Sequence, residues 1–189
     1  MNHTKLLLHV CCGPCATAVN PVLEREGWEV TNLFYNPNIH PYDEYCRRYE
    51  SFFSYLQLSG RKGIAPFPYQ PMNYFQEIKS VSDRCLACYR VRFGKVAEWG
   101  KKNGFNMFTT TLTISPYQDQ DKINLIGEQI ARDHDMSYLK RDFRSFYQKS
   151  VEQSKEMRLY RQKYCGCLLS QWEGEKKRLW RSLFGQKLS

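Results

Sequence analysis

The sequence predicts an α/β protein: one parallel, Rossmann-like sheet with a helical C-terminal part. Three observations predict it. Apolar runs of strand length alternate with amphipathic helical stretches from residue 5 to about residue 140, as in a doubly wound sheet. The first run carries Leu6, Leu7, Leu8 and Val10 in near succession, which suits a strand covered on both faces. The loops after the first, second and fourth strands are rich in Cys, Asn, Pro and Ser, at the rim where open α/β sheets bind ligands. A chain of 189 residues is expected to form a single domain, with an α/β core over 1–142 and a basic helical segment over 143–189.

Lys5–Val10 reads as the first strand and Ala16–Glu26 as a helix, stopped by Gly27. Between them lies the turn Cys11-Cys12-Gly13-Pro14-Cys15. Glu29–Tyr35 is the second strand, and Asn36-Pro37-Asn38-Ile39-His40-Pro41 is its loop. Tyr42–Leu58 is an amphipathic helix closed by Gly60. Ile64–Tyr69 is a third strand interrupted by Pro66 and Pro68, and Met72 to about Lys79 is a short helix. Ser82 or Asp83 caps a helix that runs to about Asn103. Phe105–Leu112, with its threonine run, is the fourth strand, and Ser115–Asp119 is its loop. Ile123–His134 is a helix and Ser137–Lys140 a last short strand. Tyr147–Tyr164 is a basic helix, Cys165-Gly166-Cys167 interrupts it, and Glu173–Phe184 closes the chain as an amphipathic helix.

The chain contains eight cysteines, too few for a small disulfide scaffold, and seven of them sit in tight groups. No apolar run approaches membrane-spanning length, and residues 1–10 lack a signal peptide's layout. The expected compartment is therefore the cytoplasm, where grouped thiols serve as metal ligands or redox catalysts. The formal charge is +9, and residues 155–189 hold nine Lys/Arg against three Asp/Glu. That surplus suits a polyanionic partner such as nucleic acid, with no membrane role.

Cys85-Leu86-Ala87-Cys88 has the spacing shared by zinc knuckles and iron–sulfur sites. At a helix start its thiols share a face, and the helix's positive end favours thiolates. The remaining ligands come from Cys11, Cys12 and Cys15. Adjacent thiols at a ligand-binding rim favour a cluster over a structural zinc. Cys11, Cys12, Cys85 and Cys88 would complete a [4Fe–4S] cluster, leaving Cys15 for a second metal or a free thiol; spacing does not settle which four of the five bind. Cys165 and Cys167 suit either a metal or a reducible disulfide. Cys46, alone among aromatics, is expected in the core. His9, inside a strand, is expected to be hydrogen-bonded rather than a ligand. His40 and Asp119, in rim loops, are the candidate proton donors. Arg158, Arg161 and Lys163 are candidate phosphate contacts.

Five motifs together resemble one family. They are His9-Val10-Cys11-Cys12-Gly13-Pro14-Cys15, Tyr35–Pro41, Cys85-x-x-Cys88-Tyr89, Thr110–Pro116 and Tyr160–Cys167. The chain from residue 5 to about 170 is similar to the QueH family of cobalamin-independent epoxyqueuosine reductases. The resemblance implies reduction of an epoxide to an alkene on a tRNA wobble base. It also implies an iron–sulfur cluster on Cys11, Cys12, Cys85 and Cys88, and a redox-active pair Cys165/Cys167. A second, mononuclear iron and an unidentified electron donor complete the expected inventory, with the anticodon stem-loop as the RNA partner. The fold looks like that of adenine-nucleotide α-hydrolases, but their phosphate loop is replaced here by the cysteine turn, which argues against ATP use. The rival readings are a zinc-binding RNA-binding protein and a metal-free thiol–disulfide oxidoreductase.

Overall fold

Five strands form one parallel sheet in the order β3-β2-β1-β4-β5, in a computed structural model whose described residues are 4–185. β1 (Thr4–Val10) is central, flanked by β2 (Trp28–Phe34) and β4 (Met107–Thr110), with β3 (Gly63–Ile64) and β5 (Ser137–Tyr138) at the edges. The strand order reverses direction between β2 and β4, which creates the crevice where such sheets bind ligands. The parallel α/β sheet expected from sequence is thus the fold observed.

Side chains alternate across β1, so its apolar run serves two cores. Leu6, Leu8 and Val10 pack with α1 (Gly13–Arg25) and α2 (Tyr42–Ser59). Leu7 packs on the other face with α4 (Arg84–Lys102) and α5 (Gln120–Asp133). α3 (Pro71–Ile78) lies against α4, and α6 (Tyr147–Glu156) lies against α1. α7 (Leu168–Phe184) follows the Cys-Gly-Cys turn.

Four expectations are corrected. α1 starts at Gly13, with Cys12 as its extended cap, so Cys15 belongs to the helix and not to the turn before it. The strand expected over 64–69 is reduced to Gly63–Ile64, because the prolines at 66 and 68 cannot donate ladder hydrogen bonds. The fourth strand ends at Thr110, whose hydroxyl accepts from the Leu112 amide and starts a 3₁₀ turn over Thr111–Ile114. The basic helix expected over 147–164 ends at Glu156, and α7 begins at Leu168 rather than at residue 173. Residues 157–167 are irregular, and Arg158 adopts φ +51°.

Two glycines are required by close approach. A Cβ on Gly13 would lie 2.3 Å from the Ser51 carbonyl oxygen, so only glycine lets α1 start against α2. Gly166, at φ +138°, presses on the second-strand loop: its Cβ would meet Asn38 Nδ2 at 3.0 Å and Arg48 Nη1 at 3.3 Å. The His40 amide donates to the Gly166 carbonyl at 2.8 Å, and this ties the two loops together.

Candidate active site

The carboxyl ends of β1, β2 and β4 build the site. His9 anchors them: its Nε2 donates to the Tyr35 carbonyl at 3.2 Å, and its Nδ1 accepts from Thr110 Oγ1 at 2.8 Å. Burial pushes its pKa down to about 3, so it is a neutral strut, as expected, and not a ligand. The Thr111 hydroxyl accepts from the Cys11 amide at 3.1 Å and donates to Cys11 Sγ at 3.4 Å. Asn36 Nδ2 donates to the Val10 carbonyl at 2.9 Å.

These contacts fix three thiols. Cys12 Sγ lies 3.8 Å from Cys11 Sγ and 3.1 Å from Cys15 Sγ. Among the described residues, Cys11, Cys12 and Cys15 form the one group of three or more potential metal ligands within 4.8 Å of one another. The donor set suits a thiophilic metal. Hydrogen bonds from Cys12 and Cys15, with Thr111 and the Arg92 charge, hold Cys11 well below the usual thiol range. Burial pushes Cys12 up, and its thiol neighbours push Cys15 up. Cys11 is thus the thiol readiest to ionise, and a bound cation would supply the charge that lets the others follow.

Cys85, Cys88, Cys165 and Cys167 line a separate cavity of about 220 Å³, together with Tyr74, Tyr89, Gln118 and Asp119. Asp83 caps α4, accepting from the Cys85 and Leu86 amides. Lys122 of α5 bridges to Asp83 at 2.7 Å, and Arg84 of α4 bridges to Glu173 of α7 at 2.6 Å. These pairs join three helices around the opening. Tyr89 donates to Gln118 Oε1 at 2.7 Å, and Gln118 Nε2 donates to Cys165 Sγ at 3.2 Å. Cys167 caps α7 and accepts from the Ser170 amide at 3.4 Å. Burial opposes its ionisation, but the Ser170 hydroxyl, the Tyr74 hydroxyl and the Ser170 amide lower its pKa overall. Burial instead raises Cys85, Cys165 and Cys88, the last to about 12.

Two buried arginines that sequence reasoning missed stand between the thiol groups. Arg92 Nη1 is 4.0 Å from Cys88 Sγ, its charge acts on Cys11, and its Nη2 donates to Asn36 Oδ1 at 2.6 Å. Arg48 pairs with Glu44 at 2.7 Å and donates to the Cys165 and Tyr164 carbonyls at 2.9 and 3.0 Å. The available signals were the spacings: Arg92 lies four residues after Cys88, and Arg48 four after Glu44, so each pair shares a helix face.

Asp119 lines the cavity and caps α5. His40 does not line it: the ring stacks on Phe75 at 4.6 Å and packs against Tyr74, with no protein partner for either nitrogen. Burial lowers its pKa to about 4. Cys46 is half-buried against the first core, in agreement with its expected packing role. Arg161 lines a small recess with Cys15 and Gln162.

A doubly wound sheet whose carboxyl rim carries grouped thiols defines an α/β protein built for metal or thiol chemistry. Residues 6–173 match the family model described as "Epoxyqueuosine reductase QueH", and the chain belongs to that family. It is 37% identical to the epoxyqueuosine reductase QueH of Histophilus somni, over 98% of this chain and 78% of that protein. It is 33% identical to that of Dehalococcoides mccartyi, over 89% and 93%. It is 32% identical to that of Thermotoga maritima, over 91% and 93%. The fold is shared with the U34-tRNA thiolase NcsA from Methanococcus maripaludis, solved with its [4Fe-4S] cluster: TM-score 0.59 at 11% identity, over 96% of this chain and 68% of that one. The chain is an oxidoreductase acting on epoxyqueuosine in tRNA. Among the described residues no helix is long and apolar enough to cross a membrane.

Proposed function

We propose that the epoxide is reduced in the cavity lined by Cys85, Cys88, Cys165 and Cys167, beside an iron–sulfur centre held by cysteines. The observation that carries this reading is that two buried arginines reach both thiol groups: Arg92 lies near Cys88 and its charge acts on Cys11, and Arg48 donates to the Cys165 carbonyl. Cys11, Cys12, Cys85 and Cys88 are the proposed ligands of a [4Fe–4S] cluster, and Cys15 is left for a mononuclear iron. When bound, such iron would offer one-electron transfer and a Lewis-acidic site for oxygen.

The protein's own groups account for the rest. Converting an epoxide to an alkene and water consumes two electrons and two protons. Oxidation of the Cys165/Cys167 dithiol to a disulfide releases that number of each, and both epoxide C–O bonds break as the oxygen leaves as water. Cys167, capping α7, is the more readily ionised of the two thiols, and Gln118 holds Cys165 in place. Asp119, at the cavity wall, passes a proton to the departing oxygen. His40, neutral and one layer behind Tyr74, is the second proton-handling candidate. An external electron donor returns the disulfide to the dithiol. Arg158, Arg161 and Lys163 grip the phosphates of the anticodon stem-loop. The expected compartment is the cytoplasm.

Anaerobic purification with iron, sulfide and zinc analysis tests the metal assignment. The expected protein is brown and contains iron and sulfide. Cys11→Ser and Cys88→Ser lose colour and activity together, whereas Cys46→Ser keeps both. A colourless protein with one zinc would instead support a zinc-binding RNA-binding protein. Reductase activity that survives complete removal of iron would leave a metal-free dithiol enzyme. In either case the cluster assignment falls.

A further inference from the structure

Tyr117 is the most exposed large apolar side chain among the described residues, at 84%, yet it lines the cysteine cavity. Its backbone is firmly held. The Tyr117 amide donates to Ser115 Oγ and the Gln118 amide to the Ser115 carbonyl, each at 3.3 Å, in a bend preset by Pro116. Gln118 is in turn tied to Tyr89 and Cys165, and Asp119 caps α5. The ring is therefore fixed at its base and free at its face, with Tyr147 edge-on at 6.3 Å. The other aromatics lining the cavity, Tyr74 and Tyr89, are buried in its floor.

The cavity volume of about 220 Å³ is below the roughly 300–1,000 Å³ that encloses a drug-sized ligand. It admits the reacting five-membered ring but leaves the base that carries it at the mouth. A flat base at that position needs an aromatic face, because stacking is how proteins hold unpaired bases.

We propose that Tyr117 is the stacking platform for the base of the target nucleotide. The assignment rests on the tRNA-reductase reading above. In it, Tyr117 positions the base while the cysteines act on the ring attached to it.

The test uses the iron-loaded holoenzyme and a stem-loop RNA carrying the epoxide nucleotide. Tyr117→Ala is expected to raise KM for the RNA about tenfold to a hundredfold, the usual worth of one stacked base, with kcat changed by less. Tyr117→Phe and Tyr117→Trp, which keep a flat face, restore KM. Melting temperatures confirm that each variant is folded. Unchanged KM in Tyr117→Ala overturns the proposal. So does a Tyr117→Phe variant as poor as Tyr117→Ala, since the hydroxyl would then be the working group. A Tyr117→Ala variant with intact RNA affinity and a weaker response to electron-donor concentration also overturns it, because the residue would then contact a protein partner. Failure of the wild-type holoenzyme to bind or reduce this RNA would remove the underlying reading along with the platform, and that pattern differs from all the others.

Discussion

Arg48 is 1% exposed, and its guanidinium is met by Glu44 and the carbonyls of Tyr164 and Cys165. Removing one partner of a buried ion pair leaves the other stranded. Arg48→Ala should therefore cost about 3–5 kcal/mol of stability, measured by urea unfolding. Arg48→Lys should rescue only part of that, because a single ammonium cannot reproduce the planar fork. His9 supplies a pH dependence. Its ordinary pKa of 6.5 falls to about 3 in the folded protein, so the unfolded chain binds the extra proton. The contribution is complete above pH 6.5 and is lost as pH falls toward 3, up to about 5 kcal/mol over the window. His40, lowered to about 4, adds in the same direction. Stability of His9→Gln followed against pH should show a shallower acid limb than the wild type. The grouping of the cysteines at the rim was legible at this scale because it stands in their spacing along the chain. The buried arginines were less so, since a charged side chain in a helix reads first as surface.

Among the elements, the Cys-Gly-Cys turn is the one whose shape depends most on a single residue. Gly166 combines a positive φ with contacts to Asn38, Ile39 and Arg48. Gly166→Ala is expected to lower stability by about 1–3 kcal/mol and to slow the dithiol chemistry, because the turn must move off the Asn38–His40 loop. Thermal melting and a thiol-reactivity assay on Cys165 and Cys167 check it. β1 was readable from its apolar run, and α4 from Asp83 and the C-x2-C spacing. The end of α6 was not. Residues 157–164 contain no Pro or Gly, and their composition favours helix. Tertiary contacts override it: Leu159 is buried in the first core, Ser51 Oγ donates to the Tyr160 carbonyl, and Arg48 donates to the Tyr164 and Cys165 carbonyls. Backbone acceptors recruited by a distant helix leave no trace in local sequence.

At the scale of the whole molecule, the +9 charge sets how the enzyme meets a polyanion. Each phosphate contact releases counterions, so affinity for tRNA should fall steeply with salt. Arg158→Gln with Arg161→Gln is expected to weaken binding and to flatten the slope of log affinity against log salt by about one unit per lost contact. An unchanged slope would move the phosphate contacts elsewhere on the surface. The parallel sheet was legible because alternation of strand and helix is a property of the chain as a whole. The division of the thiols into two groups, on either side of Arg92, is a product of packing that spacing alone does not report.

The carbonyls that receive Arg48 lie more than a hundred residues downstream of it. While the chain leaves the ribosome, the nascent N-terminal sheet would hold a guanidinium in its interior with Glu44 alone to answer it. Final closure of that side of the molecule therefore awaits synthesis of residues 164–165. Ribosome-bound chains stopped short of them should remain open to protease within α2, and chains a little longer should become resistant.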